Sequence, residues 1–430
     1  MNESSFSELN IQPEILKAIQ EMGFEAPTSI QESCIPLILS GVDLVGQAQT
    51  GTGKTAAFGI PAIQKANRGS KAPSVLILCP TRELAIQVTG ELIKLAKYTD
   101  GIFTVPVYGG QPISRQLTAL KKGAQIVVGT PGRVIDHLKR GTLKLGALEM
   151  VVLDEADEML NMGFREDLEE ILSFSKGKSQ TVMFSATVPK AIQNIMKKWM
   201  ENPEMVKVEG RAETAAGVDQ YFMEVRDSMR TEAVSRVMDM ANFKLALIFC
   251  NTKRMCDSLV QELQSRGYSS DALHGDMRQQ VRDKVMNKFR NGQIDILVAT
   301  DVAARGLDVD EIDVVFNYDI PNDPEYYVHR IGRTARAGRS GMAITFTSGR
   351  KKKQIRFIER MIRTELKPLP MPSTKEVQLS KIDHHIEDLL ETLESGGLRD
   401  YIDQLEPLAE GHFTPIEMAA ALLKMRIERS

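Results

Sequence analysis

The chain has 430 residues, 42% apolar and 26% charged, with a net charge of −3; two to three domains fit that length, and the composition excludes a mainly disordered or fibrous chain. No window of 18 nearly uncharged apolar residues exists to span a bilayer, and MNESSFSELN has no basic region or apolar stretch of a secretory signal. The four cysteines, Cys34, Cys79, Cys250 and Cys256, form no Cys-x-x-Cys pair, which argues against zinc and disulfide frameworks and for the cytoplasm.

In chain order, short β-rich apolar runs recur at 42–46, 75–79, 126–129, 150–153 and 181–184. Between two of them, Leu84, Val88, Leu92 and Leu95 trace one face of a helix over 81–96. A polar stretch at 209–217, EGRAETAAG, reads as a linker, after which strand-like runs resume at 245–249, 295–299, 312–316 and 342–346. Such runs alternating with amphipathic helices predict parallel sheets covered on both faces. The fold class is therefore α/β: two tandem domains over 1–208 and 218–366, then a small all-helical region over 371–430. Charge changes at the same place. Residues 350–367 hold eight basic residues against Glu359 and Glu365, whereas 371–430 hold twelve acids against six bases.

The run VDLVG leads into AQTGTGKT, which fits the phosphate-loop template apart from Ala48 at the first glycine. Gly51 and Gly53 let backbone N–H groups close on phosphate oxygens, Lys54 reaches the β/γ-phosphates, and Thr55 offers a hydroxyl to Mg²⁺ at a helix N-terminus. The second signal is DEAD, 154–157, after the apolar run MVVL. Asp154 suits a Mg²⁺-holding carboxylate and Glu155 a group that orients or deprotonates water, although acids after a strand also serve as helix caps. The third is HRIGRTARAGR, 329–339, where Arg330, Arg333 and Arg336 recur every third residue and on a helix share one side. That pattern is a solvated basic face or a source of arginine fingers, which are worth about 10³–10⁵ in rate.

Taken together, these motifs resemble those of the DEAD-box RNA helicases with RecA-like domains, from about residue 6 to residue 366. Phe6 and GFEAPTSIQ (23–31) resemble the Q motif, AQTGTGKT motif I, PTREL (80–84) motif Ia, Gly109–Gly110 the GG element and TPGR (130–133) motif Ib. DEAD resembles motif II, SAT (185–187) motif III, FCNT (249–252) motif IV, Gln279 and Arg282 the Gln-x-x-Arg element, ATDVAARGLD (299–308) motif V and HRIGRTAR (329–336) motif VI. The resemblance implies an RNA-stimulated ATPase that unwinds or remodels short RNA duplexes, with ATP and Mg²⁺ bound. It implies nucleotide binding by Gln49, Thr50, Gly51, Thr52, Gly53, Lys54 and Thr55, adenine recognition by Phe24 and Gln31, and ribose contact by Asp308. Phe24 as a core aromatic and Gln31 as a surface amide are the plainer alternatives.

The same resemblance implies arginine fingers at Arg333 and Arg336, and coupling of nucleotide state to domain closure by Asp157, Ser185, Thr187 and His329. Ser185 and Thr187 equally suit hydroxyls that satisfy backbone groups at a strand end. It implies RNA contacts by Arg82, Gly110, Thr130, Arg133, Arg282 and Thr300, residue types that read sugar and phosphate without base information. A DNA-acting motor and a nucleotide-gated RNA clamp with little unwinding are the rival readings. In the tail, Ile382, Ile386, Leu389, Leu390 and Leu393 form one helical stripe, Leu398, Ile402 and Leu405 begin a second, and Thr414-Pro415 starts a third helix over 416–425. The stripes suit packing on the second domain or between two copies. The tail is similar to the dimerisation region of bacterial cold-shock-type DEAD-box helicases, which implies a homodimer, a stress-response role and a further C-terminal RNA-binding domain removed from this chain.

Overall fold

Residues with uninterrupted β-branched and leucine side chains stay out of water only when both faces of their strands are covered, and the computed structural model arranges them so. It describes residues 5–48, 52–174, 179–208, 217–241, 243–304, 309, 312–321, 324–335, 340–349, 352–409 and 413–429. The chain divides into two compact units: Met1–Ala216 with Gly275–Lys284 and Asp301–Asp310, and Gly217–His274 with Val285–Thr300 and Glu311–Ser430.

The first unit carries β1 (Leu44–Gln47), β2 (Val75–Leu78), β3 (Thr104–Val107), β4 (Ile126–Gly129), β5 (Met150–Leu153), β6 (Gln180–Ser185) and β7 (Glu204–Lys207). They form a sheet in the order β3-β4-β2-β5-β6-β1-β7, with every pairing parallel. Alternation along each strand builds two cores. Leu44, Val75, Ile77, Val152 and Phe184 pack against the helices of residues 13–95. Val45, Leu76, Leu78, Val151 and Met183 face the helices Pro131–Lys139, Arg165–Ser173 and Lys190–Trp199 on the other side. Trp199 is partly buried against that second core.

The second unit repeats the plan with β8 (Val218–Glu224), β9 (Ala246–Phe249), β10 (Ser270–Leu273), β11 (Ile296–Ala299), β12 (Val314–Asn317), β13 (Gly341–Thr347) and β14 (Lys367–Pro368). The order is β10-β11-β9-β12-β13-β8-β14, again parallel throughout. The runs expected at 126–129 and 150–153 are strands over those same residues. β3, β7, β8, β10 and β14 had no counterpart in the sequence reading.

Beyond the sheets lie three helices, Thr374–Ser395, Arg399–Ala409 and Pro415–Arg429. Ser373 and Glu376 form a reciprocal cap on the first. Thr414 caps the third: its hydroxyl accepts from Glu417 N at 3.2 Å, and Glu417 accepts from Thr414 N at 2.8 Å. The first helix is anchored within its unit, with Lys381 on Asp239 at 2.9 Å and Ser380 Oγ donating to Met240 O at 2.7 Å.

Candidate nucleotide site and nucleic-acid interface

In an open parallel sheet, ligands bind beyond the carboxyl ends of the strands, where loops lead into helix N-termini. Such a place follows β1, where Gly53 leads into the helix Lys54–Lys65. Gly53 has φ 85°, and a Cβ there would collide with the Gln31 side chain, so only glycine fits. Lys54 is buried, and its Nζ has no hydrogen-bond partner among the described residues. A buried ammonium without an acceptor is costly, and an anionic oxygen is the partner it lacks. Thr55 lies half-buried in the first turn of that helix. Gln49, Thr50 and Gly51 lie outside the described residues.

The Q-motif segment is tied to this loop. Thr28 and Gln31 form a capping box on the helix Ser29–Ser40, with Gln31 Oε1 accepting from Thr28 N at 2.9 Å. Gln31 Nε2 donates to Gly53 O at 3.1 Å, and Thr28 Oγ1 donates to Thr52 O at 2.8 Å. Gln31 is thus buried, with both ends of its amide engaged, rather than a surface amide. Phe24 is 37% exposed and stacks on buried Phe6 at 6.5 Å, rather than filling a core. Thr28 was missed in the sequence, although Thr-x-x-Gln ahead of an apolar run is a readable cap signature.

β5 delivers the acids. Asp154 is buried, its carboxylate accepting from Glu155 N at 3.0 Å. Burial pushes its pKa up to about 7 and the Glu155 charge adds to the rise, while the Lys54 charge pulls it down. A divalent cation would restore the ionised form, so the donor set fits Mg²⁺. Glu155 is half-buried and sits at φ 49°, a left-handed conformation unusual for a non-glycine residue. Asp157 Oδ2 accepts from Thr187 N at 2.8 Å and from Thr187 Oγ1 at 2.9 Å. Ser185 Oγ accepts from Asp157 N at 3.3 Å and donates to Thr187 O at 2.6 Å. Those three residues form one network, so both hydroxyls do more than finish a strand. Gln47 Nε2 joins the loop side to it, donating to Ala186 O at 3.2 Å.

The candidate RNA residues of the first unit lie beyond β2, β3 and β4. Arg82 opens the helix Arg82–Leu95, capped by Thr81. Its guanidinium lies over Gly110, at φ 86°, where a Cβ would collide with it. Thr130 ends β4 at the N-terminus of the helix Pro131–Lys139. Arg133 Nη1 donates to Gln111 O and to Gln116 Oε1, both at 3.3 Å. Gln116, absent from the sequence reading, is buried: it donates to Tyr108 O at 2.7 Å and meets His137 Nε2 at 3.0 Å. It joins the GG element to motif Ib across residues far apart in sequence, a link no local pattern announces.

In the second unit, the helix Pro324–Ile331 ends before Arg333. This corrects the reading of Arg330, Arg333 and Arg336 as one helical face: Gly332 and Arg333 lie in a turn, and Ala335 has φ 56°. Arg330 is fully buried. It donates to Asp319 O at 2.6 Å, Asn251 Oδ1 at 2.9 Å and Asn317 Oδ1 at 3.3 Å, and lies over the Phe249 ring. Arg333 is buried, with its Nε donating to His329 O at 3.3 Å, and His329 meets the Tyr326 ring edge-on. Thr300 follows β11, its N–H bonded to Leu273 O at 3.2 Å. Arg282, on the helix Gln279–Arg290, lies in the stretch Gly275–Lys284 that groups with the first unit, where its Nη2 donates to Glu83 Oε1 at 2.6 Å. Asp308 and Arg336 lie outside the described residues.

Two parallel α/β units, one with a phosphate loop and a strand-end carboxylate, define a phosphate-loop NTPase. Comparison with known proteins narrows this. Residues 28–195 match the DEAD/DEAH box helicase family, 229–338 the helicase conserved C-terminal domain and 372–427 the RNA helicase DeaD dimerization domain. The chain is 47% identical over 422 residues to the DEAD-box ATP-dependent RNA helicase CshA of Geobacillus kaustophilus, covering 98% of this chain and 90% of that one. It is 46% identical to the ATP-dependent RNA helicase DeaD of Buchnera aphidicola, covering 98% and 70%. Among solved structures it is similar to S. cerevisiae Dbp5 bound to RNA and ADP BeF3, with a TM-score of 0.77 at 32% identity over 88% of this chain and 98% of that one. The chain belongs to the DEAD-box ATP-dependent RNA helicases.

Proposed function

We propose that the chain hydrolyses ATP at the ends of β1 and β5 and uses the cycle to bind and release RNA. The observation that carries this reading is the buried Lys54 ammonium, which has no hydrogen-bond partner among the described residues. Lys54 and the N–H groups of the loop hold the ATP phosphates, while Phe24 and Gln31 contact the adenine and Asp308 the ribose. Thr55 and Asp154 would hold Mg²⁺, which supplies charge neutralisation on the phosphates. Glu155 orients and deprotonates the attacking water, and Arg333 and Arg336 neutralise charge that develops in the transition state. Asp157, Ser185, Thr187 and His329 pass the nucleotide state on to RNA grip.

Arg82, Gly110, Thr130, Arg133, Arg282 and Thr300 hold RNA by its sugar–phosphate backbone, so affinity is independent of sequence and falls with salt. Domain boundaries at 1–208 and 218–366 and a cytoplasmic location, with a role under stress, complete the reading. Among the described residues no helix is long and apolar enough to cross a membrane. A homodimer through the tail is supported by the match to the dimerization domain and by exposed Leu390, Leu393, Tyr401, Ile402, Ile416 and Leu422. Light scattering tests it, and a monomeric mass at micromolar concentration refutes it. RNA- against DNA-stimulated ATPase activity and displacement of short RNA duplexes test the activity. Stimulation by RNA with ATP-dependent displacement is expected; equal stimulation by DNA, or clamping without displacement, contradicts it.

A further inference from the structure

The basic stretch at 350–367 has no part in the sites above. Its described portion forms the helix Lys352–Ile362, which buries Ile355, Ile358 and Ile362 against the second unit. Spacings of three and four residues share a helix face, so the side opposite those isoleucines carries Lys353, Arg356, Phe357 and Arg360. All four are exposed, Phe357 by 55%. Lys352 at the margin pairs with Glu224 at 2.7 Å, whereas Lys353, Arg356 and Arg360 enter no ion pair among the described residues. Glu359, the one acid on the helix, is turned to its end, where Oε1 accepts from Leu366 N at 3.1 Å. A shallow cavity of about 430 Å³, bordered by Arg356, Arg360, Arg363 and Thr364 with Glu359 and Glu365, continues the surface past the helix end.

In a chain of net charge −3, a face that gathers unpaired cations around an exposed aromatic ring is a local basic patch complementary to a polyanionic partner. An acidic peptide would satisfy the cations and leave the ring unused. Single-stranded RNA uses both, because phosphates meet the cations and every base offers a face that stacks on an aromatic ring. We propose that the outward face of the helix Lys352–Ile362 is a second RNA-binding surface, with Lys353, Arg356 and Arg360 on phosphates and Phe357 under a base. This rests on the RNA-acting reading above. One long strand engaging both surfaces gains avidity through effective concentration, so the second surface retains long RNA during cycling.

The test uses the full chain with RNAs of about 8 and about 40 nucleotides. Phe357→Ser, and separately the combined Lys353→Gln, Arg356→Gln and Arg360→Gln, should weaken long-RNA binding about tenfold. The combined change should also flatten the log–log salt dependence by about 2. ATPase stimulation by the short RNA should stay at the wild-type level in both. Irradiation of the unmodified chain with 4-thiouridine RNA should crosslink the peptide Phe357–Arg360, a readout that needs no variant. Wild-type ATPase activity that RNA does not stimulate removes the RNA-acting reading, and this surface with it. A stimulated wild type whose variants bind long RNA unchanged, with no crosslink at that peptide, overturns the second surface alone. Variants that keep RNA affinity and lose affinity for polyglutamate overturn it in favour of an acidic partner.

Discussion

The two units share one strand order, displaced by seven strands, yet put opposite chemistry at equivalent places. After the first strand of each comes a buried cation: Lys54 beyond β1 and Arg230 beyond β8. After the fifth comes a carboxylate: Asp154 beyond β5 and Asp319 beyond β12. In the second unit the pair is closed. Arg230 Nη1 donates to Tyr318 O at 2.8 Å and to Asp319 Oδ1 at 3.1 Å, and Asp227 pairs with the same guanidinium at 2.7 Å. In the first unit Lys54 has no hydrogen-bond partner among the described residues. The same topology thus yields a structural ion pair in one unit and a candidate ligand site in the other. The difference lies in whether the cation hydrogen-bonds a carboxylate of its own unit, as Arg230 does through Nη1 although its Nε has no partner among the described residues.

Two arginines three residues apart give the sharpest break within the second unit. Arg333→Ala should lower kcat about 10³-fold while costing about 1 kcal/mol of stability for the bond from its Nε to His329 O. Arg330→Ala strands the acceptors of Asn251 and Asn317 and should unfold the unit by about 3–5 kcal/mol. Steady-state ATPase assays beside denaturant melts separate the two; a kcat loss for both at equal stability would erase the distinction.

The cation comparison makes a prediction of opposite signs. Arg230→Met takes the guanidinium from half-buried Asp319, which among the described residues keeps only the hydrogen bond from Asn251 N at 3.1 Å, and should cost about 1–3 kcal/mol. Lys54→Met removes a buried ammonium that has no hydrogen-bond partner among the described residues, and should raise nucleotide-free stability by about 1–3 kcal/mol while abolishing the stabilisation that ATP gives. Urea unfolding with and without ATP reads both, and a destabilised Lys54→Met would show that its ammonium is satisfied in the folded chain. A smaller effect is expected of Gln31→Ala. It removes a tie to Gly53 O as well as the proposed adenine contact, so ATP binding should weaken by about 1–3 kcal/mol and preference over GTP should fall. Unchanged ATP affinity would place Gln31 outside the site.

What the sequence told of this molecule follows the same division between local and distant causes. Central strands were legible because burial on both faces forces continuous apolar runs, as at Met150–Leu153. The strands that escaped notice lie at or next to sheet edges: Thr104–Val107 contains Pro106, and Ser270–Leu273 begins with Ser-Asp. Edge strands need only half the burial. The phosphate loop and DEAD acids were legible because phosphate and metal chemistry demand fixed residue types at fixed spacing. Gln116 was not, since its partners Tyr108, Arg133 and His137 come together only in the fold. Periodicity misled at Arg330 and Arg333 because the helix stops at Ile331.

The central claim is that Glu155, held left-handed beside buried Asp154, supplies the base for ATP hydrolysis. Glu155→Gln keeps shape and hydrogen bonding and removes only the base, a loss of about 10²–10⁴ in rate. The direct measurement is RNA-stimulated ATP turnover by this variant, together with retention of labelled RNA in ATP. The account predicts turnover near background and a long-lived complex that forms only with ATP; hydrolysis at the wild-type rate would contradict it.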